Sequence, residues 1–176
     1  MENSSQTGKP YFGFIRSPVR LLATILVCNL AGVIGSVFTV TGPGSWYASI
    51  VKPSFNPPGF LFGPVWTTLY TLMGISLYLV WMEGLSGKRV TTAVIIFGIQ
   101  LGLNIVWSFL FFGLRSPFLG LVEIIILWVF IAATIVLFHR ISRPAAYLLV
   151  PYILWVTFAS FLTYTIWTLN TPVAGV

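Results

Sequence analysis

Five long apolar runs, separated by short breaks rich in charge, proline and glycine, dominate this chain of 176 residues. Only 7% of the residues are charged, against about 25% in soluble domains, so a soluble fold of this composition could not cover its own surface. Inside a bilayer every backbone polar group must be paired within the chain, which makes each crossing segment a helix. The sequence therefore predicts an all-α membrane protein, a bundle of five transmembrane helices.

Each apolar run is long enough to cross a hydrocarbon core of about 30 Å at about 1.5 Å per residue. The first run exceeds the apolar core of a signal peptide, which is about 7–15 residues, and is interpreted as a retained span. We predict a single transmembrane domain at 19–170, between a polar segment at 1–18 and a tail at 171–176. The predicted spans are residues 19–40, 60–82, 90–114, 118–138 and 145–169.

Nine basic residues face three acidic ones, and they lie singly or in pairs between the apolar runs. Because they form no basic stripe, nucleic-acid binding is not expected. The positive-inside rule explains them better and predicts a multi-pass protein with a cytoplasmic N-terminus, in a membrane that the sequence does not specify. The predicted cytoplasmic cations are Lys9, Arg16, Arg20, Lys88, Arg89, Arg140 and Arg143, and the two on the other side are Lys52 and Arg115.

The longest connection, residues 41–60, contains four prolines and the aromatic residues Trp46, Tyr47 and Phe55. Proline fixes its own φ and restricts the preceding residue, so this loop should be stiff. One interpretation is an interfacial belt, where Trp and Tyr commonly lie. The other is a lid over a pocket, because long ordered loops are often functional. Composition alone leaves both open.

The third span has one polar face and one glycine face. Gln100, Asn104 and Trp107 follow the i, i+4, i+7 spacing, and polar groups are costly in lipid, so this face should look into the bundle. Gly98 and Gly102 lie almost opposite and would let a second helix approach closely. The glycines are expected either at a dimer interface or against a neighbour in the same bundle. Asn104 is expected in a pocket, in an interhelical hydrogen bond, or in both.

Aromatic stripes also mark the second and fifth spans. Such a stripe is more often core packing than a ligand site, but a Trp away from the interface needs a partner for its N–H. Two inward indoles and one amide suit a flat, largely apolar molecule that a few polar groups orient. The stripes are Trp66, Tyr70 and Met73 in the second span, and Tyr152, Trp155, Ala159 and Leu162 in the fifth.

Three segments together resemble the signature of the translocator protein family, also called TspO/MBR, tryptophan-rich sensory protein or peripheral benzodiazepine receptor. They are WYASIVKPSFNPPGFLFGPVWTTLYTLMG at 46–74, QLGLNIVWSFLFF at 100–112 and PYILWVTFASFLTYTIWTLN at 151–170. The resemblance implies a five-helix bundle, usually a homodimer, with a pocket beneath the first loop. It implies the ligand-lining positions Trp46, Tyr47, Pro57, Trp66, Asn104, Trp155 and Ala159, to which the polar helix face adds Trp107.

Members of this family bind porphyrins and related tetrapyrroles, sterols in animals, and synthetic isoquinoline or benzodiazepine ligands. The resemblance therefore implies a membrane receptor or carrier for protoporphyrin IX or haem, without an intrinsic cofactor. One alternative is light-driven porphyrin degradation through Trp66 and Trp155, and another is a dimeric scaffold. The sequence has no nucleophile–base pair and no phosphate-binding motif, so no catalytic residue is assigned firmly and an ordinary enzyme is not expected.

Several single residues carry weaker signals. Animal members have a proposed sterol motif of Leu, Tyr and a basic residue; here no basic residue follows Leu162 and Tyr164, which makes a sterol ligand doubtful. Glu123, inside the fourth span, is either functional or a paired or snorkelling structural acid. His139 is expected at the membrane interface rather than on haem iron. With Cys28 as the only cysteine, no metal-ligand cluster is present.

Overall fold

The computed structural model describes residues 17–85 and 87–171, and these residues form helices joined by short connections. Five helical segments are long and apolar enough to cross a membrane, so the predicted all-α, five-span fold is confirmed. The elements are α1 (Pro18–Ser36), α2 (Trp46–Ser49), α3 (Gly59–Trp81), α4 (Lys88–Ser108), α5 (Pro117–His139), α6 (Arg143–Leu148) and α7 (Val150–Asn170). A π-helical turn, Phe109–Gly113, extends α4, and α6 leads directly into α7.

Two of the spanning helices begin with the same local signal. Ser17 precedes Pro18, and its hydroxyl accepts a hydrogen bond from the Arg20 amide at 3.4 Å. Ser116 precedes Pro117 in the same way at the start of α5. A serine cap satisfies an amide that has no intrahelical partner, and proline fits the first helical position because it lacks an N–H. The breaks predicted from proline and charge are therefore real helix boundaries.

The first span ends earlier than its apolar run. The helix stops at Ser36, and residues 37–40 continue as turn and extended chain toward the long loop. Val37 and Val40 are 72% and 63% exposed, so apolar character persists outside the helix. Hydropathy could not place this helix end because the sequence stays apolar across it.

The bundle is held together by close helix contacts on the inside. α1 lies against α3 and α4, α4 against α5, and α5 against α7, while α6 packs on α3 and α5. At Gly74, α3 approaches α1 so closely that an added Cβ would lie 2.5 Å from the Ile25 Cα. The Ser76 hydroxyl donates to the Ala145 carbonyl at 2.7 Å and ties α3 to α6. These contacts fix the helices that line the cavity described below.

Gly98 and Gly102 lie on the outer face of α4. An added Cβ at either position would meet no atom within 4 Å, so within the described residues neither glycine packs against another helix of the bundle. A role for the pair in a homodimer stays a prediction. The predicted terminal segments, 1–18 and 171–176, fall almost entirely outside the described residues, and the predicted side of the N-terminus likewise stays a prediction.

Candidate ligand-binding site

A cavity of about 310 Å³ lies between α1, α3, α4 and α7, beneath the loop that joins α1 to α3. Its volume falls in the range of small-molecule sites, about 300–1,000 Å³. Most of its wall is apolar or aromatic, with a few hydroxyl and amide groups. Six of the eight predicted ligand positions line it: Tyr47, Trp66, Asn104, Trp107, Trp155 and Ala159.

Trp46 and Pro57, the other two predicted positions, do not line this cavity. The Trp46 ring meets the Phe111 ring edge-on, with centroids 5.7 Å apart, and so braces the loop against α4. The Pro57 carbonyl accepts a hydrogen bond from the side-chain amide of Asn56 at 3.0 Å. Both residues thus support the covering loop from outside the cavity.

Asn104 stands at the centre of a buried polar network that joins three helices. Its carbonyl oxygen accepts from the Tyr70 hydroxyl on α3, and its amide nitrogen donates to the Tyr152 hydroxyl on α7 at 3.0 Å. Asn104 is 4% exposed and also lines the cavity. It therefore has both of the roles that the sequence allowed, in the pocket and in interhelical hydrogen bonds. The Trp66 ring packs on the Tyr70 ring at 5.5 Å and edge-on to Tyr152 at 6.3 Å. The network therefore fixes the orientation of one indole of the pocket.

Aromatic rings form the wall next to the loop. The Trp107 and Phe111 rings stack with centroids 5.1 Å apart, and Phe112 meets Phe111 edge-on at 4.8 Å. Phe111 and Phe112 are consecutive, yet both line the cavity, because they lie in the widened π-helical turn. Gly120 of α5 makes room for this turn, since a Cβ there would lie 2.8 Å from the Phe111 ring. Neither the π-helical turn nor the contact between Gly120 and Phe111 was predicted from the sequence.

Three buried side chains on α4 and α5 have polar atoms without a hydrogen-bond partner among the described residues. They are the Trp107 indole N–H, both amide atoms of Gln100 and both carboxylate oxygens of Glu123. Of the three, Trp107 alone lines the cavity, so its indole forms part of the cavity wall. Glu123 is 4% exposed, so the structure shows neither the snorkelling nor the paired acid considered above.

His139 lies at the exposed end of α5, away from the cavity. Its ring meets the Tyr147 ring edge-on with centroids 6.1 Å apart, and it is not among the residues that line the pocket. This position agrees with the interfacial interpretation of His139 and gives no support to a role as haem ligand.

The covering loop is held closed by side-chain hydrogen bonds to its own backbone. The Lys52 ammonium donates to the carbonyls of Tyr47, Ala48 and Ile50 at 2.7–3.3 Å and lies 5.0 Å from the centre of the Tyr47 ring. An ammonium has three donors, so all are used. The Tyr47 hydroxyl donates to Asn56 at 2.8 Å, and burial raises the pKa of this phenol, which keeps the donor protonated near neutral pH. These bonds restrain the loop in addition to its prolines; its stiffness stays a prediction.

Asn170, at the end of α7, latches the same loop to the bundle. Its side-chain oxygen accepts from the Val51 amide at 2.9 Å, and its side-chain nitrogen donates to the Val51 carbonyl at 2.8 Å. These two bonds join positions 119 residues apart in the chain. With Tyr47 on its inner surface, the loop is a lid over the cavity.

Replacing Asn170 by Ala should open the lid. Each lost hydrogen bond is worth about 1 kcal/mol, so the two together should raise the exchange rate of the Val51 amide by roughly tenfold to thirtyfold. Hydrogen–deuterium exchange of the peptide that covers residues 46–56 measures this. Thr171→Ala is the matched control, because among the described residues the Thr171 hydroxyl bonds to the Trp167 carbonyl and not to the loop. Equal exchange in both variants would show that Asn170 does not hold the lid.

The α1 wall of the cavity was not predicted. Gly32, Val33, Gly35, Ser36 and Thr39 line it. α1 has no aromatic or amide stripe that would mark an inward face. Small residues are as consistent with helix packing as with a cavity wall. The only usable signal was the small size of the two glycines, which leaves room beside the aromatic side chains of α3 and α4. For example, a Cβ at Gly32 would lie 2.4 Å from the Tyr70 ring.

Comparison with known proteins agrees with this architecture. The model of the TspO/MBR family matches residues 24–168, which include all five spanning segments in whole or in large part. The chain is 50% identical to the tryptophan-rich protein TspO of Chlorobaculum tepidum over 151 residues, 85% of this chain and 95% of the relative. It is 40% identical to the human translocator protein over 161 residues, 90% and 88% of the two chains. It is 32% identical to the tryptophan-rich sensory protein of Cereibacter sphaeroides, over 85% and 90%.

These matches confirm the resemblance that the tryptophan and proline spacing indicated. Together with the five apolar helices they establish an integral, multi-pass membrane protein. The chain belongs to the TspO/MBR family.

Proposed function

We propose that this protein is a membrane receptor or carrier that binds a porphyrin-type tetrapyrrole in the aromatic cavity under the lid. The observation that carries the proposal is the placement of Trp66 and Trp155 on different helices around one cavity, with Asn104 and Trp107 beside them. Relatives named as a translocator protein and as a sensory protein support the same class of role.

The chemistry of the cavity suits a flat, largely apolar ligand. Indole faces offer stacking surface, and an aromatic pair contributes about 0.5–1.5 kcal/mol beyond the area that it buries. Asn104 already bonds to two tyrosine hydroxyls, whereas the Trp107 N–H has no partner among the described residues. Trp107 lines the cavity and stacks on Phe111, so its ring extends the aromatic surface on which protoporphyrin IX or haem would lie. Synthetic isoquinoline or benzodiazepine ligands would use the same aromatic wall.

Titration of the purified protein with protoporphyrin IX, followed by tryptophan fluorescence, tests this proposal. We expect saturable quenching in the wild type and an affinity roughly tenfold weaker when Trp66→Phe and Trp155→Phe are combined, because two indole contacts are reduced.

Trp128→Phe provides a matched control. Trp128 lies on α5, is 38% exposed on the outer surface, and donates to the Thr157 hydroxyl at 2.8 Å. It does not line the cavity. Its loss should leave the affinity for protoporphyrin unchanged. Absence of quenching in the wild type, or the same affinity in the double variant, contradicts the proposal.

A further inference from the structure

A second cavity lies at the opposite end of the bundle from the lid, where α4 begins and α5 ends. Its volume is about 230 Å³. It is built from two helices only, and it shares no lining residue with the aromatic pocket. Its wall consists of Lys88, Arg89, Thr92, Leu137, Arg140 and Ile141.

Half of that wall is cationic. Lys88 and Arg89 come from the first turn of α4, and Arg140 directly follows α5. Within residues 17–85 and 87–171, none of the three has an ion pair or a side-chain hydrogen bond that would neutralise it. Glu83 is the one acidic residue that the described chain places at this end of the bundle. The cavity is therefore a pocket of uncompensated positive charge.

The start of α4 adds to this positive potential. Gly87 caps the helix without a side-chain hydrogen bond, and the Val90 and Thr91 amides donate to the Gly87 carbonyl. The amides of Lys88 and Arg89 are the first of the helix and have no intrahelical acceptor. A helix N-terminus carries a partial positive charge and favours phosphate and other anions. Backbone and side chains thus favour the same kind of ligand.

The rest of the pocket wall is Thr92, Leu137 and Ile141, and the surface of the spans beside it is apolar. Further into the span, Ile95 on α4 and Val136 on α5 are 55% and 52% exposed. A free phosphate ion would gain nothing from these apolar contacts, whereas an acyl chain would.

We propose that this basic cavity binds the phosphate-bearing headgroup of an anionic phospholipid, whose acyl chains lie along the outer faces of α4 and α5. Lys88, Arg89 and Arg140 hold the phosphate at the level where the spans leave the hydrocarbon. Basic pockets between spanning helices are suited to such headgroups. The site is separate from the aromatic cavity, so it stands whether or not that cavity takes a tetrapyrrole.

Native mass spectrometry of the purified full-length protein in detergent tests the proposal. Phosphatidylglycerol and phosphatidylcholine with identical acyl chains are added at equal concentrations. We expect one phosphatidylglycerol to bind in preference to phosphatidylcholine. Combining Arg89→Gln with Arg140→Gln should weaken phosphatidylglycerol binding by roughly thirtyfold, since each cation near the surface contributes about a fivefold factor.

Arg143→Gln is the matched control for Arg140→Gln. Arg143 lies three residues further along the chain at the same end of the bundle, but it does not line the cavity. Arg140→Gln alone should weaken binding by about fivefold, and Arg143→Gln should have little effect. Thermal unfolding midpoints show whether the exposed substitutions leave the fold intact. Equal weakening by both single variants would overturn the proposal in favour of unspecific surface charge.

Competition with inorganic phosphate separates a lipid headgroup from a free anion. Phosphatidylglycerol should stay bound when inorganic phosphate is added in large excess, because the acyl chains contribute to its affinity. Displacement of the lipid by phosphate would mean that the pocket takes the free ion, and it would overturn the lipid assignment. Equal binding of phosphatidylglycerol and phosphatidylcholine would overturn it as well.

Discussion

Gly74→Ala should destabilise the protein by about 2–4 kcal/mol, at or above the range of overpacked cores. The added Cβ would lie 2.5 Å from the Ile25 Cα, 2.8 Å from the Ile25 amide nitrogen and 3.0 Å from the Thr24 carbonyl oxygen. All three atoms belong to the backbone of α1, so no side-chain rotation relieves the clash. α1 must move away from α3, and the wall of the aromatic cavity moves with it.

Gly98→Ala is the matched control for this substitution. Gly98 is also inside a spanning helix, but nothing lies within 4 Å of its Cβ position. Alanine is the better helix former by about 1 kcal/mol, so this variant should be neutral or slightly more stable. Unfolding of both variants in the same detergent, followed by circular dichroism, gives the difference. If Gly74→Ala proves as stable as Gly98→Ala, the close approach of α1 and α3 is not what holds them together.

Asn104→Leu should destabilise the protein and Gln100→Leu should not, although the two residues lie one turn apart on the same face of α4. Asn104→Leu leaves the Tyr70 and Tyr152 hydroxyls without their partner. A buried polar group left unpaired costs about 1–3 kcal/mol, while hydrogen bonds between membrane helices average about 0.6 kcal/mol. We expect a loss of about 1–3 kcal/mol, with weaker ligand binding because Asn104 also lines the cavity.

Gln100 is 1% exposed, and neither atom of its amide has a partner among the described residues. Replacing a buried, unpartnered polar group by an apolar one of similar shape removes a cost instead of a bond, so Gln100→Leu should be neutral or stabilising. Measured unfolding midpoints of the two variants give the signs directly. Equal destabilisation would mean that Gln100 has a partner that the structure does not show.

The fold was predictable because its main determinants are local in sequence. Apolar runs of bilayer length, broken by charge and by Ser-Pro pairs such as Ser116 and Pro117, specify the number of spans. The end of α1 at Ser36 was not predictable, because the apolar run continues to Val40.

The pocket was predictable where a helical face carries a chemical signature. Trp66, Asn104 and Trp155 stand on such faces, and the structure places all three on one cavity. Trp46 and Pro57 entered only through the family resemblance, and they brace the lid from outside. The latch between Asn170 and Val51 joins the end of the last helix to the first loop. No periodic pattern in the sequence indicates it. Long-range contacts of this kind depend on packing that a single sequence does not display.

The sequence indicated in part which polar side chains of α4 and α5 are buried, but not which of them lack a hydrogen-bond partner. Gln100 was correctly placed on the inward face of α4, whereas for Glu123 the sequence left a functional, paired or snorkelling role open, and the structure buries it. Whether such a group is paired depends on the rotamers and spacing of neighbouring helices. Within the described part of the chain, Asn104 has two partners and Gln100, one turn away, has none, so the residue type alone could not distinguish them.

The most direct test of the proposed tetrapyrrole site uses the ligand as its own probe. Protoporphyrin IX produces reactive oxygen species in light, which oxidise tryptophan close to where the porphyrin sits. After brief illumination of the equimolar complex, mass spectrometry of the digested protein maps the oxidised residues. We expect Trp66, Trp107 and Trp155 to be oxidised well before Trp128 on the outer surface. Oxidation of Trp128 first, or of all four at the same rate, would contradict binding in the cavity.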